Sequence, residues 1–355
     1  MRKQKRWLLP LAVLASFALL AAACGDDDDT ATGGDGDGSD LQVGLVYDIG
    51  GRGDKSFNDS AAQGLDRAVQ ELGIPEPQEL EPDEGGQNRQ ELLQNLAEAG
   101  ADLIFGVGFL FADSMAEVAG ANPDTNFAII DDATVQLDNV ANLTFAEEEG
   151  SFLVGAAAAL KSQTGKIGFI GGVQTELIAK FEAGYVAGAR AVNPNIEIDI
   201  KYITQPPDFS GFNAPERAKE IARSQYQAGA DVIYHAAGGS GLGLFQAAQE
   251  ASAGGAKKWA IGVDSDQYES VDDPQLQQFI LTSMLKKVDV AVFDTIQAAV
   301  NGEFSAGNQV FDLASGGVDY SRSGGFVDDI ADQLDEFKQQ IIDGEIEVPS
   351  SPTAS

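Results

Sequence analysis

The chain has 355 residues, with 22 basic and 56 acidic side chains, one histidine, one cysteine and a formal charge of −34. That balance argues against nucleic-acid binding, which needs basic patches. The single cysteine excludes an intramolecular disulfide, and one histidine with one cysteine cannot make a clustered zinc site.

Arg2, Lys3, Lys5 and Arg6 precede an apolar stretch from Leu8 to Leu20 that is too short and wrongly flanked for a membrane span. Residues 1–23 therefore read as a signal peptide. Ala21-Ala22-Ala23-Cys24-Gly25 resembles a bacterial lipobox with Cys24 as the acylated new amino terminus, although Ala21 stands where a bulkier residue is usual. The other reading is an ordinary secretory signal with an incidental cysteine; a leftover cysteine in an exported chain favours lipidation. Loss of residues 1–23 takes the charge from −34 to −38, because it removes four cations and no acid. Residues 24–40 hold seven aspartates and no large apolar side chain, so they read as a disordered tether holding the folded part off a membrane surface.

From residue 41 short β-rich runs alternate with helical patterns, the signature of βαβ units and parallel sheets. Strands are expected at 41–47, 102–107, 126–130, 140–145, 166–170, 196–203, 231–235, 259–263 and 278–283. Helices are expected at 56–72, 87–99, 147–162, 175–192, 214–228, 241–253 and 286–301. The first strand runs into a loop, Asp48 to Asn58, with three glycines, at the strand end where open α/β sheets place ligands. Ala99-Gly-Ala-Asp-Leu-Ile-Phe-Gly-Val-Gly108 is echoed by Ala228-Gly-Ala-Asp-Val-Ile-Tyr-His-Ala-Ala-Gly238. A cheap helix-to-strand turn alone makes such an echo, but it also fits two similar lobes, each doubly wound, with a crevice between them. Residues 346–355 read as a disordered tail.

Catalytic chemistry finds little support. His235 is the sole candidate for a triad base, and Gly238-Gly-Ser-Gly-Leu-Gly243 is not Gly-x-Ser-x-Gly. No phosphate loop is present, and Gly106-x-Gly108 lacks the third glycine of a dinucleotide fingerprint. Asp131-Asp132 suits acid–base work, but a strand-end carboxylate that accepts hydrogen bonds from a ligand is equally economical. Neither an enzyme nor a resident cofactor is expected. What remains gathers at strand ends: Asp48, Phe57 and Asn58; Gly108 and Phe109; Asp131; Phe209 and Phe212; Gly238; Asp264; and Lys286. Acids accept from hydroxyls or ring N–H groups and aromatics stack on flat faces, which suits a neutral polar guest better than an anion. Each residue alone is equally well explained as a cap or as core; their joint placement favours a pocket.

At these residues the chain resembles the basic membrane protein family of ABC-transporter solute-binding lipoproteins, whose best-understood members bind purine nucleosides. The matching segments include Asp54-Lys-Ser-Phe-Asn58, Phe127-Ala-Ile-Ile-Asp131, Phe145-Ala-Glu-Glu-Glu-Gly-Ser-Phe-Leu-Val-Gly155, Ile261-Gly-Val-Asp264 and Ser283-Met-Leu-Lys-Lys-Val-Asp289. The resemblance implies an α/β fold of two Rossmann-like lobes, the type I periplasmic-binding class, with three crossovers. It places lobe one at 41–146 plus 285–303 and lobe two at 147–284 plus 304–345. By analogy Asp131 holds a base edge, Phe57 stacks from lobe one, and Phe209, with Phe212 as the alternative, stacks from lobe two. Asp264 and Lys286 address ribose hydroxyls, while Asp48, Asn58, Gly108, Phe109 and Gly238 complete the wall; Lys287 beside Lys286 is the alternative cation. The implied setting is a monomer, lipid-anchored on the extracytoplasmic face, with an ABC permease and its ATPase as partners. The same fold with another small polar solute, such as a sugar or an autoinducer, or a surface sensor signalling through a partner, stays open.

Overall fold

The computed structural model describes residues 39–83 and 85–352, so the signal segment and Cys24 lie outside the described residues. The body opens with β1 (Val43–Val46), buried at all four positions as a strand covered on both faces must be. The loop after it ends where Asp54 caps α1 (Phe57–Leu72). The Asp54 carboxylate accepts the N–H groups of Ser56 (2.9 Å), Asn58 (3.0 Å) and Asp59 (3.1 Å), donors for which a first turn has no internal partner. The helix ends at Gly73, φ 65°, a left-handed cap. There follow β2 (Gln78–Leu80), α2 (Arg89–Glu98), β3 (Leu103–Gly106), α3 (Ala112–Ala121), β4 (Asn126–Ile130) and β5 (Val140–Phe145). The second half runs α4 (Glu147–Lys161), β6 (Lys166–Val173), α5 (Glu176–Val192), β7 (Glu197–Thr204), α6 (Pro215–Gln227), β8 (Val232–Ala236), α7 (Gly241–Ser252) and β9 (Trp259–Asp264). It continues through the single turns α8 (Gln267–Ser270) and α9 (Pro274–Gln277) to β10 (Ile280–Lys286). The chain closes with α10 (Val288–Val300), β11 (Gly307–Phe311), β12 (Val318–Tyr320) and α11 (Ala331–Ile342).

Two six-stranded sheets result, ordered β11-β5-β4-β3-β1-β2 and β12-β10-β9-β8-β6-β7. Rank for rank the orders match, and β3 and β8, which carry the echoed sequence, hold the same place. Every pairing of the first sheet is parallel, and in the second only β12 runs antiparallel, to β10. The chain crosses between lobes three times: from β5 to α4, from β10 to α10, and from β11 to β12. Helix α4 lies against α5, where Gly155, Gly184 and Gly188 face backbone carbonyls at distances that leave no room for a Cβ. One apolar cluster runs through both lobes, from Leu45, Phe105 and Leu143 to Phe169, Tyr234 and Ile261, and a smaller cluster lies on the other face of each sheet.

The structure departs from the sequence reading in four places. Strand β10 extends through Lys286, so Lys286 ends a strand of the second sheet where a helix start and lobe one were expected. Residues 307–311, expected in lobe two, pair with β5 in the first sheet, so the third crossover follows 311 and not 303. The expected tail at 346–355 is partly packed: Ile346 and Val348 lie against the main core, a partner that sequence alone does not supply. Finally β2, β11, β12, α3, α8, α9 and α11 were not expected, because their runs are short or polar.

Candidate functional site

The carboxyl ends of β1, β3 and β4 face those of β8, β9 and β10 across a cleft. The cavity there has an empty volume of about 560 Å³, with the open solvent at its mouth included. Lobe one contributes Asp48, Ile49 and Asp54 after β1, Phe57 and Asn58 from α1, Gly108 and Phe109 after β3, and Asp131 after β4. Lobe two contributes Leu177, Ile178 and Phe181 from α5, Phe212 from the loop after β7, and Ala236 to Gly238 at the end of β8. Val263 and Asp264 end β9, and Lys286 ends β10.

Backbone strain marks two of these residues. Asp131 (φ 68°) and Asp264 (φ 63°) both sit in the left-handed region, at matching strand ends of the two lobes. A non-glycine residue held there costs on the order of 1–3 kcal/mol, and such residues gather at functional sites. Gly108 (φ 110°) is needed for a second reason, since a Cβ on it would lie 2.6 Å from Asp48 Oδ2.

The four carboxylates of the cavity are held differently. Asp48 Oδ1 accepts a bond from Arg89 Nη2 at 3.1 Å, and its backbone N–H donates to Asn58 Oδ1 at 2.9 Å. Burial raises its pKa, and the Arg89 guanidinium opposes the rise. Asp54 is pushed up to about 6 by burial, against the N–H groups it caps. Asp264 Oδ2 accepts from Ser56 Oγ at 2.6 Å, and burial raises its pKa also. Asp131 is pushed up to about 7, chiefly by burial, with Lys286 pulling it down and Glu147 pushing it up. Lys286 Nζ donates to Asp131 Oδ2 at 2.6 Å and lies 3.3 Å from Glu147 Oε1. Burial acts to lower the pKa of Lys286, but Asp131, Glu147 and Asp264 together more than reverse it. It is the one cation among the described cavity residues.

The lobes touch across the cleft. The Lys55 carbonyl accepts bonds from Gln267 Nε2 (3.0 Å) and Ser270 Oγ (3.1 Å), and the Ser56 carbonyl accepts one from Ser265 Oγ (2.9 Å). Phe109 and Phe209 meet edge to face at 6.1 Å and 64°.

Nine of the ten expected residues come together here: Asp48, Phe57, Asn58, Gly108, Phe109, Asp131, Gly238, Asp264 and Lys286. Phe209 does not line the cavity. It packs on Phe109, while Phe212 takes the wall position, lying over Gly172 of β6 where a side chain would not fit. The apolar patch of α5 and the capping Asp54 were missed. The patch reads as ordinary core, whereas the cap is legible in hindsight, since an acid before the helix start is a capping signal. His235 is buried, with Nε2 2.9 Å from Gln267 Oε1, and burial lowers its pKa to about 4. Ser240 spends its hydroxyl on the Gly211 carbonyl at 2.7 Å, binding the 210–214 turn to the loop after β8.

Two α/β lobes of matching topology around a cavity at their strand ends make this a type I periplasmic-binding fold, the architecture of extracytoplasmic solute-binding proteins. A solved ABC-transporter solute-binding protein from Aeropyrum pernix K1 superposes with a TM-score of 0.77 at 32% identity, over 88% of this chain and 94% of that one. A family model described as ABC transporter substrate-binding protein PnrA-like (Bmp) matches residues 41–352. The chain belongs to that family, one of substrate-binding proteins and not of enzymes. It is 36% identical to the CD4+ T-cell-stimulating antigen of Listeria innocua, over 99% of this chain and 100% of that protein. It is also 36% identical to the ABC transporter nucleoside-binding protein BmpA of Lactococcus lactis, over 95% of this chain and 96% of that protein. Among the described residues no helix is long and apolar enough to cross a membrane.

Proposed function

We propose that this protein captures a nucleoside, with purine nucleosides preferred, between its lobes and hands it to an ABC permease coupled to an ATPase. Lipid on Cys24 would hold it at the extracytoplasmic face of the membrane, with residues 24–40 as a spacer. The observation that carries the reading is that Asp131, Asp264 and Lys286 line one cavity together with the rings of Phe57 and Phe212. Carboxylates accept from base N–H groups and ribose hydroxyls, and rings cover the faces of a planar base. In this reading Asp131 takes the base edge, Phe57 and Phe212 stack, and Asp264 and Lys286 take the ribose. Asp48, Asn58, Gly108, Phe109 and Gly238 form the remaining wall. The name of the Lactococcus lactis relative supports the same choice. Charge argues for a nucleoside over a nucleotide, because Lys286 already faces two carboxylates and four acids would meet a phosphate. Thermal-shift titration with inosine, guanosine, adenosine and ribose tests the reading. Asp131→Ala should abolish the nucleoside-induced stabilisation, and an undiminished shift would remove Asp131 from the site.

A further inference from the structure

Glu147 begins α4 at the first crossover, is 1% exposed, and lines no part of the cavity. Its Oε1 lies 3.3 Å from Lys286 Nζ, and its Oε2 accepts a bond from Lys180 Nζ at 3.1 Å. Since Lys286 also holds Asp131 at 2.6 Å, charges alternate in sign along Lys180, Glu147, Lys286 and Asp131, and only the last two reach the cavity. The rings of Phe57, Phe145 and Phe181 surround the Lys286 ammonium at 5.0, 5.0 and 5.6 Å, leaving the two carboxylates as its close polar partners. An ammonium gripped by two buried carboxylates divides its hydrogen bonds and its field between them.

We propose that Glu147 is a positioning residue for the cleft: it takes one side of the Lys286 ammonium and so leaves Asp131 with acceptor capacity for the solute. Without Glu147, Lys286 turns wholly to Asp131, and that carboxylate closes into an ion pair with little left for a guest. The assignment rests on the cleft being the solute site and adds to it a residue from outside the cavity. Glu149, two residues on, does a separate task, accepting the Leu313 N–H at 2.9 Å at the third crossover. The charged groups that act on Asp131 are Lys286 from β10, Glu147 from α4 and Asp264 from β9, and burial pushes it up to about 7 in their presence.

A carbon-13 titration of side-chain carboxyls in the solute-free full chain, with Asp131 assigned through Asp131→Asn, reads this directly. Glu147→Gln should lower the Asp131 midpoint by about one pH unit or more. Lys180→Met, which removes a cation on the far side of Glu147, should raise it. Glu147→Asp should restore part of the wild-type value. An unmoved midpoint in Glu147→Gln, or a shift of the same sign in both variants, overturns the assignment. Should Glu147→Gln fail to fold by circular dichroism, Lys180→Met decides: an upward shift supports the assignment and none overturns it. Inosine titration run alongside should show affinity weakened about tenfold in Glu147→Gln, the loss of one charge-assisted hydrogen bond's worth of binding. Undiminished inosine affinity in that variant also overturns the positioning role. Wild-type protein that ignores every nucleoside while the midpoints move as stated sinks the nucleoside reading and leaves the hold of Glu147 on Asp131 intact.

Discussion

At the residue scale the cleft turns on which ring and which cation face the guest, and neighbours distant in sequence make both choices. Phe209 and Phe212 share one Pro-rich turn, and nothing in the local sequence ranks them. Gly172 and Ser240 do so, the first by leaving room for a ring and the second by anchoring the Gly211 carbonyl. Phe212→Ala should therefore weaken nucleoside binding by about ten- to a hundredfold, the range for a lost base stack. Phe209→Ala should cost no more than about threefold, since it removes one edge contact between rings. Calorimetric titration of both variants checks the assignment, and a larger loss at Phe209 would reverse it. Lys286 was legible as a candidate from the Ser283-Met-Leu-Lys-Lys-Val-Asp289 motif. Its alternative Lys287 lies on the crossover, with its N–H bonded to the Gly317 carbonyl, and does not line the cavity.

At the element scale the central strands and long helices were legible because burial on both faces writes continuous apolar runs, as in β1, β3, β4 and β8. The edges were not. Strand β11 reads Gly-Asn-Gln-Val-Phe, with no fully buried residue, and its place beside β5 is fixed by the ladder and by partners remote in sequence: Asn308 Oδ1 accepts from Asn142 Nδ2 at 3.1 Å, and Phe311 stacks on Phe145 at 5.2 Å. The loop 54–57 combines two functions that the sequence shows only as one motif. Its acid caps α1, and its carbonyls at Lys55 and Ser56 receive three hydrogen bonds from the segment 265–270 of the other lobe. A Ser265→Ala, Ser270→Ala double variant removes two of those bonds and touches no cavity residue. At about 1 kcal/mol for each bond, affinity should fall roughly ten- to thirtyfold, mostly through faster dissociation. Small-angle scattering should report a more open solute-free protein. Unchanged affinity with unchanged scattering would deny these bonds a part in closure.

At the scale of the whole molecule, two lobes could be read from the echo between 99–108 and 228–238, because β3 and β8 hold the same rank in two sheets of one order. The position of the third crossover could not, since it depends on where a polar edge strand docks. The buried acids also give the fold a pH signature. The Asp131 carboxyl, at about 7, is raised above its ordinary value near 3.9, so the folded state binds more protons than the unfolded one between those values. Stability contributed by this group therefore falls as pH rises towards and through about 7. His235 works in the opposite sense: its pKa is lowered to about 4, so the unfolded state binds the extra proton up to its ordinary value near 6.5. Above about pH 6.5 the His235 contribution is complete, and the Asp131 decline stands alone between these two. The melting temperature of the solute-free protein should fall by about one degree from pH 6.5 to 8 at fixed ionic strength, as somewhat under about a kilocalorie per mole would give for a folded body of this size. Asp131→Asn should flatten that fall, and an equally steep fall in the variant would assign it elsewhere.

The meeting of Phe109 and Phe209 from opposite lobes bears on time as well as on affinity. A guest enclosed behind lobes that touch cannot leave until they part, so its escape is timed by the protein's own opening and not by how tightly any single group grips it. Solutes that differ widely in how fast they are captured would then share one slow exit. Quick unloading would have to come from whatever pulls the two lobes apart at the membrane.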